Sequence, residues 1–118
     1  MRILQLHCDK IEYTPIKKEI SVAEDVEPTT VELDEVVVCF VAIEKGDDEH
    51  VVQNSVSQIK ESMEKIGSKK LLLYPYAHLS ANLASPSTAL AILKSLEENF
   101  EGIDVSHAPW FRRLRYAV

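Results

Sequence analysis

One uninterrupted apolar run limits the fold of this chain more than any other feature. Residues 36–43 read Val-Val-Val-Cys-Phe-Val-Ala-Ile and contain no polar side chain. A strand with one face in water alternates apolar and polar residues, whereas a continuous β-branched run is typical of a strand covered on both faces. The sequence therefore predicts a central strand inside a layered structure.

Helical patterns and shorter strands alternate with that run. We expect a first helix over residues 49–66, because apolar side chains recur there every three or four positions and Gly67 is a natural stop. Ser85 and Pro86 are typical of the cap and first turn of a second helix, which we expect to end at Gly102. Further strands are predicted at residues 2–8, with a possible continuation at 11–13 after a turn, and at 70–75 and 103–105.

This alternation predicts an α/β fold: a single compact domain with a mixed β-sheet covered by two main helices. The 118 residues fit one domain over residues 1–118. The polar, acidic segment 16–34 is interpreted as a loop with a short edge strand. No apolar run reaches the roughly 20 residues that cross a bilayer, so we expect no membrane contact and a cytoplasmic location. Cys8 and Cys39 show no CxxC spacing and are predicted to be reduced and buried.

The charge of the chain is unevenly distributed. All 19 acidic residues but only ten of the 13 basic ones precede position 112, so residues 1–111 carry a net charge of −9. Arg112, Arg113 and Arg115 bring the total to −6. A body this acidic is a poor general binder of phosphate backbone, so any RNA contact must be local or supplied by something attached to the domain. A solvated tail is one interpretation of the basic end, and a local RNA contact is the other.

Histidine and tyrosine side chains are expected at strand ends, where α/β sheets bind ligands. His7 ends the first strand, residues 74–80 read Tyr-Pro-Tyr-Ala-His-Leu-Ser after another, and His107 ends the last. Each histidine also has a purely structural interpretation. A zinc site from His7, Asp9, His78 and His107 has no supporting spacing.

Protein nucleophiles fit poorly. Cys8 and His7 are adjacent and therefore point to opposite faces of a strand, and Ser80 lacks the GxSxG turn. The residues by themselves predict a small acidic α/β domain with a His/Tyr pocket, and they leave its substrate open.

Three stretches carry a family resemblance: MRILQLHCDKIEY at residues 1–13, ELDEVVVCFVAIEKGD at 32–47 and LLLYPYAHLSANLASPSTALAILKSLE at 71–97. Together they resemble the N-terminal editing domain of archaeal threonyl-tRNA synthetase, a family similar in fold to D-aminoacyl-tRNA deacylases. The resemblance implies cofactor-free hydrolysis of L-seryl-tRNA(Thr), with the seryl 3′ end of tRNA(Thr) as ligand. It also implies a homodimer and a synthetase catalytic domain acting in cis or in trans.

The resemblance also implies roles for particular residues. His78 would position the substrate and the attacking water as the catalytic residue, aided by the 2′-hydroxyl of the terminal ribose. Substrate binding is assigned to Ile43, Tyr74, Pro75, Ala77 and Trp110, and His7 is added from its predicted strand end.

The C-terminal end departs from the family pattern. Leu114 falls where the family has a catalytic lysine, and the family's last strand and Gly-His-Pro-Leu motif do not follow. We therefore expect an editing domain that is shortened at this end, with an unpaired sheet edge that favours dimerisation. Two alternatives stay open: a non-catalytic module that binds tRNA ends or dimerises, and a D-aminoacyl-tRNA deacylase.

Overall fold

The computed structural model describes residues 1–18, 31–108 and 112–117, with the backbone alone for residues 15–18 and 112–117. Five strands, two α-helices and one short 3₁₀ turn follow one another along the chain. In order they are β1 (Arg2–Lys18), β2 (Val31–Ala42), α1 (Glu49–Ile66), β3 (Lys70–Pro75), the 3₁₀ turn (Ala77–Leu79), α2 (Pro86–Glu98), β4 (Asp104–His107) and β5 (Arg112–Ala117).

The five strands form one mixed sheet in the order β4-β3-β2-β1-β5. The pairs β2–β3 and β3–β4 are parallel, and β1 runs antiparallel to both β2 and β5. The predicted mixed α/β sheet with two main helices is confirmed. The radius of gyration, 13.6 Å, agrees with the value of about 13.5 Å that a compact domain of this length has.

The helix boundaries follow from local capping. The Asp48 carboxylate accepts a hydrogen bond from the Val51 N–H at 3.0 Å and begins α1, and Gly67 ends it in the left-handed conformation at a φ of 80°. Ser85 caps α2, as predicted. The second helix ends at Glu98, four residues before the predicted stop at Gly102. No helix in the described part of the chain is both long and apolar enough to span a membrane.

Two apolar clusters lie on opposite faces of the sheet. The helix-covered cluster joins β2 and β3 to both α-helices, and it contains Val37, Cys39, Val41, Ile43, Val52, Val56, Ile59, Met63, Leu71, Leu73, Ala89, Leu93, Leu96 and Phe100. The helix-free cluster contains no described α-helical residue, and it consists of Cys8, Ile11, Tyr13, Val36, Val38, Phe40, Leu72, Tyr74 and Ala108. The central run 36–43 is therefore buried on both sides, as its composition predicts.

The strand β1 differs most from the prediction. It runs through the expected turn at Asp9-Lys10 as one strand of 17 residues. Fully extended, such a strand would be about 56 Å long, whereas the longest dimension of the molecule is 38 Å. The strand must therefore curve, and its second half brings Ile11 and Tyr13 into the helix-free cluster.

The acidic segment 16–34 and the basic C-terminal segment also differ from their predictions. The predicted loop 16–34 is strand at both ends, and residues 19–30 lie outside the described part of the chain. The expected solvated tail is wrong, since Arg112–Ala117 forms β5 and pairs with Glu12–Lys18. Cross-strand backbone hydrogen bonds with the far half of β1 hold this basic segment in the sheet.

Candidate functional site

A fixed turn follows β3 and carries His78. Pro75 is in register with Val41, and the Tyr76 N–H then donates to the Val41 carbonyl at 2.8 Å. The chain continues as the 3₁₀ turn, closed by a hydrogen bond from the Ser80 N–H to the Ala77 carbonyl at 3.3 Å. His78 is exposed on this turn. The backbone therefore presents an imidazole to solvent at the carboxyl end of β3.

A series of aromatic contacts connects His78 to the core. Tyr74 is only 3% exposed, and its ring centroid lies 5.0 Å from that of Phe40. The Tyr76 ring packs edge-on against Phe40 at 5.6 Å and against the His78 imidazole at 5.4 Å. Edge-to-face pairs at such distances are favourable. The buried Tyr74 thus supports Tyr76, and Tyr76 supports the imidazole.

A charged group lies beside the same turn. The Ser80 hydroxyl donates to Glu44 Oε2 at 2.7 Å, and the N-terminal ammonium of Met1 lies 3.1 Å from Glu44 Oε1. The ammonium also donates to Asp47 Oδ1 at 2.7 Å, while Asp47 Oδ2 accepts from the Glu44 N–H at 2.8 Å. Arg2 Nε is 3.6 Å from Glu44 Oε2. The start of β1 and the loops after β2 and β3 meet in this group.

These contacts shift two titrations in opposite directions. The hydrogen bond from Ser80 and the neighbouring ammonium lower the pKa of Glu44. Burial opposes the charge on the Met1 amine, but the hydrogen bonds with Asp47 and Glu44 outweigh it and raise the pKa of the amine. At neutral pH the site therefore contains a carboxylate held by an ammonium.

Most residues that the resemblance assigned to the site do lie at the carboxyl ends of β2 and β3. Ala77 is exposed on the turn, and Pro75 is half-buried at the end of β3. Ile43 is buried, and its carbonyl accepts a hydrogen bond from the Ala84 N–H at 3.0 Å. Trp110 lies outside the described residues. The site roles of these residues stay predictions.

His7 is not brought to this end of the sheet. Because β1 is antiparallel to β2, His7 pairs with Val37, which is in register with Leu71 near the start of β3. That position is four residues, or about 13 Å, from the Pro75 end. The expectation that His7 joins the other strand ends is corrected by this strand direction.

His107 lies on the helix-covered face. Its Nδ1 is 2.8 Å from Glu97 Oε2 of α2. Among the described residues, no group of three or more His, Cys, Asp or Glu side chains is placed to hold a metal ion. Cys8 and Cys39 are buried and form no disulfide, so neither thiol is presented to a ligand.

The sequence indicated Glu44 at the end of the central strand, but it did not indicate that Met1 and Asp47 contact this residue. An antiparallel β1 brings the first residue of the chain, rather than the end of its strand, to the carboxyl ends of β2 and β3. The available signal was Glu44 directly after the apolar run, followed by Asp47 in a tight turn. Which end of β1 meets them depends on strand direction, which the pattern did not reveal.

The fold belongs to the D-aminoacyl-tRNA deacylase-like class. It superposes on the solved structure of the c-Myc DNA unwinding element binding protein with a TM-score of 0.77, covering 100% of this chain and 91% of that protein. The two sequences are 9% identical, so this likeness concerns the fold alone.

Sequence comparison then identifies the family. Residues 1–116 match the model of the archaea-specific editing domain of threonyl-tRNA synthetase, and the chain belongs to that family. It is 65% identical to a threonine–tRNA ligase of Nitrosopumilus maritimus over 100% of this chain and 19% of that protein. It is 36% identical to a threonine–tRNA ligase editing subunit of Saccharolobus solfataricus, over 95% of this chain and 30% of that protein. The chain thus spans about a fifth to a third of these relatives.

Proposed function

We propose that this domain proofreads threonyl-tRNA synthesis by hydrolysing mischarged L-seryl-tRNA(Thr) without a cofactor. The observation that carries the proposal is the placement of His78. In a chain of the editing family, this imidazole is exposed on a turn that is hydrogen-bonded to the end of β2. An exposed imidazole on a fixed support suits the orientation of an ester and a water molecule.

The choice of serine follows from a limit on pocket discrimination. Serine is threonine without one methyl group, and a pocket that accepts the larger side chain cannot exclude the smaller one sterically. A methyl-sized difference gives only about 1–3 kcal/mol of discrimination. A second site that hydrolyses the wrong ester removes the error, and an editing domain supplies such a site.

In the proposed mechanism the protein orients the substrate and contributes no covalent nucleophile. His78 holds the seryl ester and the attacking water, and the main chain at Ala77 and Ile43 contacts the seryl group. Tyr74 and Pro75 shape the wall. The 2′-hydroxyl of the terminal ribose, supplied by the substrate, helps to activate the water. Trp110 remains a predicted aromatic contact, and His7 is left out because of its position.

The test compares His78→Ala with His50→Ala, a matched removal of an exposed imidazole from α1. We expect the first change to lower kcat/KM for seryl-tRNA(Thr) about 100-fold, within the range of a lost positioned imidazole, and the second to leave it unchanged. L-seryl, L-threonyl and D-seryl esters are assayed in parallel. If the wild-type protein hydrolyses the L-seryl ester no faster than buffer alone does, the proposal is contradicted. If the protein prefers the D-seryl ester, a D-aminoacyl-tRNA deacylase is favoured.

A second candidate function is a module that binds the aminoacylated tRNA end without turnover. It is favoured by Leu114, which lies in β5 and which the resemblance aligns with the family's lysine. Titration with a non-hydrolysable seryl-adenosine mimic separates the two functions. Binding of the mimic together with no hydrolysis of the ester supports this second function.

We also propose that the domain forms a homodimer through the first half of β1. The strand β5 pairs only with Glu12–Lys18, so the outer edge of residues 2–11 has no partner strand among the described residues. On this stretch Leu4 is 47% and Leu6 37% exposed. An open edge with apolar side chains is a surface for pairing with a second copy.

Light scattering tests the dimer. We expect twice the chain mass for the wild type and the single-chain mass for Leu6→Asp. The control Ile66→Asp, which changes an exposed isoleucine of α1, should stay dimeric. A monomeric wild type at micromolar concentration contradicts the dimer.

The relatives suggest a setting for this activity. Because they include a ligase and an editing subunit, we propose that the domain acts in the cytoplasm beside a synthetase catalytic domain, in cis or in trans. Its ligand is then the 3′ end of tRNA(Thr).

A further inference from the structure

Glu44 lies at the centre of a network that reaches the turn of His78. Each of its carboxylate oxygens has a different partner: Oε2 accepts from the Ser80 hydroxyl at 2.7 Å, and Oε1 lies 3.1 Å from the Met1 ammonium. The side chain therefore joins the start of β1 to the loop after β3. Charge-assisted hydrogen bonds of this length are among the stronger polar contacts in proteins.

Ser80 connects this carboxylate to the turn. Its N–H closes the 3₁₀ turn on Ala77, and its hydroxyl accepts from the Asn82 N–H at 3.0 Å while donating to Glu44. His78 is two residues earlier in the same turn. A change in the Ser80 hydroxyl bond therefore acts on the segment that carries the imidazole.

Backbone bonds hold the same two loops together. The Lys45 N–H donates to the Asn82 carbonyl at 3.0 Å, and Ala84 donates to Ile43 at 3.0 Å. These bonds attach the segment that follows the 3₁₀ turn to the end of β2 and the loop after it. The bond from Tyr76 to Val41 attaches the segment that precedes the turn. Within this frame, the Glu44 to Ser80 bond sets the side-chain geometry.

The ammonium supplies the counter-charge of Glu44. The ammonium is partly buried and also contacts Asp47 Oδ1 at 2.7 Å. Removing one charge of this partly buried, paired set leaves the others without full compensation. An amide at the same nitrogen would keep the position but lose the charge.

We infer that Glu44 is a positioning residue, which holds the His78 turn in place through Ser80 and is itself held by the amino terminus of the chain. This inference rests on the proposed function for its kinetic readout only. The Met1 ammonium thereby becomes part of the support of the site.

The kinetic test uses Ser80→Ala and Glu44→Gln, with Ser57→Ala and Glu98→Gln as matched changes at exposed helix positions. We expect the first two to lower kcat for L-seryl-tRNA(Thr) about 10- to 100-fold with KM within 2-fold, the size of effect that a misplacement of up to about 1 Å has. Ser80→Thr keeps the hydroxyl and should restore kcat to within 3-fold of wild type. Equal loss in Ser80→Thr and Ser80→Ala overturns the inference.

A second readout needs no activity. The imidazole resonances of His78 are assigned by their absence in His78→Ala, and their shifts are compared among the same variants. We expect displaced His78 resonances in Ser80→Ala, in Glu44→Gln and in a chain extended by two residues before Met1, and unchanged resonances in the two controls. Unchanged His78 resonances in Ser80→Ala overturn the positioning role even if the wild type proves inactive. An inactive wild type with displaced resonances overturns only the proposed function.

Discussion

The two faces of the sheet are buried by different means. On one face, both α-helices cover a cluster made mainly of Val, Ile, Leu and Met side chains, with Phe100 as its one aromatic residue among those described. On the other, no described α-helical residue takes part, and the cluster combines aromatic rings with the curved second half of β1. Helices bury a face with local, regular stripes, whereas this second face depends on a strand distant in the sequence. The helix-free face is therefore the part of the core that depends most on long-range structure.

The candidate site lies at the carboxyl ends of β2 and β3, where it contacts the clusters on both faces of the sheet. Tyr76 and Leu79 pack against the helix-free cluster, while Met1 packs against the helix-covered one. The His78 turn is thus supported from one side by aromatic rings and from the other by the group around Glu44. Perturbing each face in turn should have different consequences for stability and for function.

The largest expected effect comes from two adjacent leucines. Leu72 and Leu73 are both fully buried, but Leu72 belongs to the helix-free cluster and Leu73 to the helix-covered one. We expect Leu72→Ala and Leu73→Ala each to lower the free energy of unfolding by about 2–5 kcal/mol in denaturant titrations. Of the folded variants, Leu72→Ala should lose more activity, because Tyr74 packs in the same cluster. A cost below about 1 kcal/mol for Leu72→Ala would show that the helix-free face is not a true core.

The two cysteines compare the faces chemically. Burial raises the pKa of Cys39, in the helix-covered cluster, to about 12. Burial, with the charge of Asp9, also raises the pKa of Cys8, in the helix-free cluster. Because thiolate is the reactive form, we expect neither thiol to react rapidly with an alkylating reagent at pH 8. Of the two, Cys8 should be alkylated first, and mass spectrometry measures the order. If Cys39 reacts as fast as Cys8, the helix-covered cluster becomes accessible to the reagent as readily as the helix-free cluster, and the expected difference between the two faces is contradicted.

The smallest effect concerns a residue of β2 with a positive φ. Glu35 has a φ of 45°, a left-handed conformation that costs a side-chain-bearing residue roughly 1–2 kcal/mol. We expect Glu35→Gly to raise the free energy of unfolding by up to about 1 kcal/mol, since glycine removes the strain but loses more chain entropy. The neighbouring change Asp34→Gly has no such strain to relieve and should lower stability. Equal effects at both positions would mean that the conformation at Glu35 carries no strain.

The sequence predicted the elements that depend on local chemistry. The first helix and β3 have the predicted boundaries, and Asp48, Gly67 and Ser85 act as the caps that their residue types favour. These elements are set by side chains within a few positions of one another, so periodicity and capping are sufficient to locate them.

Predictions about elements that depend on residues distant in the sequence were less accurate. In the basic segment Arg112–Ala117, Leu114 and Tyr116 alternate with arginines over too few positions to predict a strand. The edge with which it pairs belongs to the distant strand β1. Because β1 is antiparallel to β2, Met1 rather than His7 lies near the carboxyl ends of β2 and β3. In the candidate site, the resemblance pointed to the turn of His78, while the ion pairs that support this turn could not be foreseen.

By itself, the sequence determined the buried central strand, the two capped helices, the family and the exposed turn with its histidine. Only the tertiary structure decided which end of β1 reaches that turn and how the second face of the sheet is buried. The physical reason is range. Periodicity and caps act between near neighbours. Strand direction and the ion pair instead depend on residues far apart in the sequence, such as Arg2 with Ala42 and Met1 with Glu44.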